Sequence, residues 1–252
     1  MNGASSGLGR ASGVALAREG AAVALSARRE DLLKEAVAEI ESAGGRAIAV
    51  PLDVTDEEGI RAAADRIASE LGPVDILVSN AGGPPPGGFA DLDDETMKGA
   101  FQLTTASAWQ LASAVTPSMK ERGSGCLIFL TSSSTREIIP SLLLSNMMRA
   151  AVVGMAKTLS KELGPRGIRV LCVAPGRIDT ARLRSLDEKT AQASGQSVEE
   201  VAAGNKSVIP LGRYGSPQEF GDVVAFMASE RASYVSGTSV AVDGGLLNGL
   251  LT

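Results

Sequence analysis

These 252 residues contain no histidine, two cysteines, one tryptophan and two tyrosines. The missing imidazole removes the commonest general base and the commonest metal ligand together. Any proton chemistry must use other groups. Cys126 and Cys172 both lie inside apolar runs, so neither a disulfide framework nor a CxxC motif can be built from them, and no metal site is expected. No apolar run approaches the roughly 20 residues that a bilayer span requires, and the first residues lack the charged-then-apolar layout of a secretory signal. The expected setting is soluble, reducing and cytoplasmic, without a membrane partner. The formal charge of -5 comes from acids and bases interspersed along the chain. With no basic run, a nucleic-acid partner is not expected either.

What is present suffices for a sizeable core, since 44% of the residues are hydrophobic. Apolar runs at 21–26, 46–50, 74–78, 126–130, 168–174 and 238–242 alternate with helical patterns, the signature of a parallel sheet covered on both faces. The expectation is a single α/β domain over 1–252, doubly wound and Rossmann-like. Helix ends are marked by Thr55 with Glu58 as a capping box, by Ser216 before Pro217, and by Gly20, Gly44 and Gly164 at C-termini. The stretch "GGPPPGG" (82–88) breaks the chain into a loop. Residues 181–206 are polar and helical in propensity and follow a strand end, where a substrate lid is expected.

The chain opens "MNGASSGLG", with Gly3, Gly7 and Gly9 directly ahead of a helix. Glycines there let backbone amides approach a pyrophosphate, which the positive helix N-terminus stabilises. In a doubly wound sheet such a turn follows the central first strand, and here only Met1 and Asn2 precede it. A first strand that is missing or truncated, with the natural start upstream, is therefore expected. The second strand ends in "LSARRE", offering Arg28 and Arg29 where an acid would hold a ribose 2′-hydroxyl. Arginine accommodates a 2′-phosphate, which favours NADP(H) over NAD(H).

"PLDVTD" (51–56), "VSNAGG" (78–83), "VAPGRIDT" (173–180) and "SVAVDGG" (239–245) follow in order. With the glycine turn they make the chain resemble the short-chain dehydrogenase/reductase family from end to end, and its tail resembles the 3-oxoacyl-carrier-protein reductases. The resemblance implies a cofactor site of Gly3, Ser5, Ser6, Gly7, Leu8 and Gly9 at the pyrophosphate. It further implies Asp53 and Val54 at the adenine, Asn80, Ala81 and Gly82 along the ribose, and Pro175, Gly176, Ile178 and Thr180 at the nicotinamide. It also implies a homotetramer or homodimer that buries the helix from about Ser145 to Leu163, with "LLNGLLT" at a second contact.

The catalytic set departs from the family pattern. Ser132 in "LTSSST" matches the family serine, but the Y-x-x-x-K tyrosine and lysine positions hold Ser145 and Arg149, and Thr104 or a neighbour stands where an asparagine is usual. Positions 145 and 149 share one helical face, so Arg149 can still present charge and donors to ribose hydroxyls. Ser145 is a far weaker acid than a phenol. Three readings stay open: an NADP(H)-dependent oxidoreductase whose proton comes from water or substrate, a silent dinucleotide-binding protein, and a lyase or isomerase. The partner is a small-molecule substrate whose class the sequence does not name.

Overall fold

The computed structural model describes residues 1–249. Of the apolar tail expected at a subunit contact, residues 250–252 lie outside the described residues. The elements run α1 (Gly7–Arg18), β1 (Ala22–Ala27), α2 (Glu30–Ser42), β2 (Arg46–Pro51), α3 (Glu57–Leu71) and β3 (Ile76–Ser79). They continue with α4 (Asp94–Phe101), α5 (Ser107–Arg122), β4 (Gly125–Leu130), α6 (Leu143–Leu163), β5 (Ile168–Pro175), α7 (Ala181–Ser194), α8 (Val198–Ser207), α9 (Pro217–Ala228) and β6 (Ser239–Val242). Each of the six expected apolar runs forms a strand.

Every strand pairing is parallel, β1 with β2 and then β3-β4-β5-β6 in order. The two sets meet at Met1 and Asn2. Asn2 bridges Ser26 in parallel, its N–H donates to the Val78 carbonyl (3.2 Å), and the Ser26 N–H donates to the Met1 carbonyl (2.8 Å). These bonds supply the ladder partners between β1 and β3 where the sequence predicts a missing strand.

The period of two along each strand divides the core. Val23, Leu25, Val78, Ile128 and Leu171 face α1, α2 and α9, whereas Ala24, Leu77, Leu127, Phe129 and Val170 face α3, α5 and α6. Helices on both sheet faces make the fold doubly wound. Close packing of α1 on α9 needs Gly221, because a Cβ there would lie 2.6 Å from the Ala11 carbonyl oxygen.

Ser216 caps α9 as expected, in a capping box with Glu219 and Pro217 behind it. One other helix signal is corrected. Thr55 does not cap α3, because its N–H and hydroxyl both donate to Asp53 Oδ1 (3.0 and 2.8 Å), and Asp56 takes the cap position. An aspartate two residues upstream competes for that hydroxyl and wins it. Gly164 ends α6 as expected, right-handed at φ -53° and leading into a 3₁₀ turn; the left-handed residue follows at Gly167 (φ 71°), where a Cβ would lie 2.1 Å from the Gly123 carbonyl oxygen. Residues 181–206 are helical, as α7 and α8.

Candidate active site

The residues singled out from sequence gather at the C-terminal ends of the parallel strands, where open α/β sheets bind ligands. The glycine turn at 3–9 opens α1, Arg28 and Arg29 follow β1, and Asp53 and Val54 follow β2. Asn80, Ala81 and Gly82 follow β3, Ser132 follows β4, and Pro175, Gly176, Ile178 and Thr180 end β5 or lead from it to α7. Ser145 and Arg149 enter from α6, which packs on the turn beginning at Ser133.

The glycine turn is a tight cradle. Gly3 has φ 64°, and a Cβ on Gly9 would lie 2.0 Å from the Gly3 carbonyl oxygen, so neither position accepts a side chain without moving backbone. Asn2, which sequence reasoning missed, fastens the turn to β3. Its side chain donates to the Asn80 carbonyl (2.7 Å) and accepts from the Asn80 N–H (3.1 Å), while Asn80 Nδ2 donates to the Gly3 carbonyl (3.3 Å). Leu8 accepts through its carbonyl from Ser12 Oγ (2.8 Å) in the first turn of α1. A Cβ on Gly7 would stand 3.4 Å from Thr180, so the turn and the segment after β5 line opposite sides of one cleft. That segment is held in turn by an Ile178–Gly215 bridge.

At the end of β1, Arg29 Nη2 donates to the Ser5 and Ser6 hydroxyls, both at 3.0 Å. No carboxylate among the described residues lies within 4 Å of the Arg28 or Arg29 guanidinium. Asp53, nearby, is held below the ordinary carboxylate range by the Thr55 N–H and hydroxyl, with the Arg28 charge adding to this. The cradle and the carboxylate-free arginine pair fit a phosphorylated dinucleotide.

The side formed by the end of β4 and by α6 is bonded less completely. Ser132 Oγ accepts from the Ser134 N–H (3.1 Å), which leaves its own proton free to donate. Ser145 is buried at 7% exposure, and its hydroxyl makes no hydrogen bond among the described residues. Arg149 Nη1 donates to the Leu130 carbonyl (2.9 Å). Burial, and after it the Arg182 charge, lowers the Arg149 guanidinium to about 10, still protonated at neutral pH.

Between α4 and α5 the helix widens into a π-turn at Gln102–Ala106. Such bulges frequently mark functional sites. This one turns Thr104 inward and anchors Thr105 Oγ1 on the Met148 carbonyl (3.2 Å). Thr104 is 5% exposed and its Oγ1 has no partner. Thr104, Arg149, Leu130, Ala81 and Ser79 line a cavity of about 10 Å³, room for about one water molecule.

The two tyrosines lie beyond α8. Tyr214 donates to Asp187 Oδ2 (2.8 Å) inside a cluster with Asn205 on α8, and burial with the Asp187 bond raises its pKa. Tyr234 is fully exposed.

A doubly wound parallel sheet with a glycine cradle ahead of α1 defines a dinucleotide-binding α/β protein. Comparison with known proteins sharpens this. A family model described as enoyl-(acyl carrier protein) reductase matches residues 3–247. The 3-oxoacyl-[acyl-carrier-protein] reductase FabG of Thermotoga maritima is 32% identical over 247 residues, covering 98% of this chain and 96% of that protein. L-sorbose reductase from Gluconobacter frateurii, solved with NADPH and L-sorbose, superposes with a TM-score of 0.93 at 32% identity, covering 99% of this chain and 96% of that one. A 7α-hydroxysteroid dehydrogenase solved with NADH and 7-oxo glycochenodeoxycholic acid superposes at 0.87 and 32%, covering 99% and 93%. The chain belongs to the short-chain dehydrogenase/reductase family of oxidoreductases.

Proposed function

We propose that this protein uses NADP(H) to interconvert a carbonyl and a hydroxyl on a small molecule, by a proton path that does not run through a side-chain phenol. The observation that carries the cofactor choice is Arg29, held over the glycine turn by Ser5 and Ser6 at a strand end without a carboxylate. A 2′-phosphate matches that fork, whereas a free 2′-hydroxyl calls for an acid. When bound, NADPH supplies the hydride.

The chain's own residues do the rest. Gly3, Gly7 and Gly9 give the pyrophosphate close approach to backbone amides, with Ser5, Ser6 and Leu8 completing the turn. Asp53 and Val54 flank the adenine, Asn80, Ala81 and Gly82 the ribose, and Pro175, Gly176, Ile178 and Thr180 the nicotinamide. Arg149 orients the ribose hydroxyls and holds positive charge beside the reacting carbonyl. Ser132 donates its free proton in a hydrogen bond to the carbonyl oxygen, and negative charge developing there is stabilised by both groups. Ser145 cannot release a proton at neutral pH. It leaves space in which water, or a hydroxyl of the substrate, delivers the proton. Helices α7 and α8 serve as a lid within a single domain.

Met97, Phe101 and Trp109 on α4 and α5, and Met147 on α6, leave apolar surface exposed, which supports a homo-oligomer, dimer or tetramer, assembled through these helices. Two unpaired thiols, Cys126 raised by burial to about 11 and Cys172 to about 12, support a reducing, cytoplasmic setting.

Fluorescence titration with NADPH and NADH, followed by addition of carbonyl compounds, tests the proposal. NADPH is expected to bind on the order of tenfold tighter or more, and its reduced-cofactor signal to decay on carbonyl addition. Tight binding with no decay across a broad carbonyl panel would instead identify a silent binding protein.

A further inference from the structure

Two arginines near the cleft are neutralised by the protein itself. Arg184 pairs with Asp179 at 2.8 Å and Arg213 with Glu219 at 2.6 Å. Arg149 and Arg182 are not: no carboxylate among the described residues comes within 4 Å of either, although the chain carries a net charge of -5. They are close enough that the Arg182 charge disfavours the charged form of Arg149. Two like charges side by side in a partly desolvated cleft cost stability unless an anion joins them.

Arg182 is fixed where it stands. Its guanidinium lies against Gly83, where a Cβ would fall 2.6 Å from Nη2, and Nη2 donates to the Pro84 carbonyl at 3.1 Å. Its other N–H groups have no partner among the described residues. It also occupies the first turn of α7, which holds no acidic residue. Cations are disfavoured and anions favoured at that end of a helix. Independently, the unpartnered Thr104 hydroxyl opens into the cavity that Arg149 lines.

From this geometry we infer that the carbonyl substrate is an oxo acid whose carboxylate docks on Arg182, with the Arg149 charge behind it. The inference rests on the oxidoreductase reading and names its substrate class. In that reading the cofactor's phosphates lie at the glycine turn and at Arg28 and Arg29, so they leave the Arg149–Arg182 pair uncompensated. One accessible planar fork matches one carboxylate.

The test is calorimetric binding of a short series, the 2-, 3- and 4-oxopentanoates, each against its methyl ester, with and without saturating NADP⁺. At least one acid is expected to bind on the order of tenfold tighter or more than its ester. Arg182→Gln should bring that ratio near one, and Arg184→Gln, which removes the same charge from the surface pair with Asp179, should leave it. No acid binding better than its ester, or a preference that survives in Arg182→Gln, would overturn the inference. An acid preference without NADPH oxidation would count against the oxidoreductase reading alone.

Discussion

The cleft has two walls of opposite character. On the wall built by residues 1–82, polar groups are matched internally: Asn2 and Asn80 bond each other reciprocally, Arg29 is held by two serines, and Gly9 packs on the Gly3 carbonyl. On the wall built by residues 102–184, the Thr104 and Ser134 hydroxyls are orphaned, and neither Arg149 nor Arg182 has a carboxylate within 4 Å among the described residues. A buried polar group costs about 1–3 kcal/mol when unpaired. The first wall is therefore bonded within itself, and the second leaves polar groups without partners.

The comparison can be broken most severely at the first wall. Gly9→Ala forces a Cβ into the Gly3 carbonyl and is expected to abolish NADPH binding in a fluorescence titration; a folded variant that still binds would show the cradle to be less rigid than described. Arg29→Ala should weaken NADPH on the order of tenfold or more while leaving NADH within a few-fold, because only the 2′-phosphate contact is lost. Equal losses for both cofactors would assign Arg29 to holding the turn instead. The smallest effects carry opposite signs on the two walls. In thermal unfolding without ligand, Arg29→Ala should lower Tm by about 2 °C through its lost hydrogen bonds, whereas Arg182→Gln should raise it by about 1–2 °C through relief of like charge. A fall in both would deny that the second wall is strained.

The first wall was largely legible in the sequence and the second only in part. Gly3, Gly7, Gly9, Arg28 and Arg29 announce their places by spacing, because backbone approach and strand ends are local properties. All six strands were likewise readable from continuous apolar runs. The Asn2–Asn80 clamp was not, since it joins residues 78 apart and neither asparagine carries a local signal for the other. The π-turn at 102–106 shifts hydrogen bonds by one residue without changing the helical composition, so only the paired threonines of "QLTTAS" hinted at it. Thr55 failed as a cap because Asp53 captured its hydroxyl. Arg182 looked like one more charge on a polar helix until the fold set Gly83 against it.

The proposed function needs an intact cofactor wall and a proton path without a side-chain phenol. Single-turnover oxidation of bound NADPH by a carbonyl compound, compared between the native protein and the Ser145→Tyr, Arg149→Lys double variant, tests it most directly. Slow but measurable turnover is expected in the native protein, with an increase on the order of 10²–10⁴-fold in the variant, the usual worth of a positioned general acid. A double variant that binds NADPH normally yet turns over no faster would contradict it, and would mean that this site already has a competent proton donor or performs different chemistry.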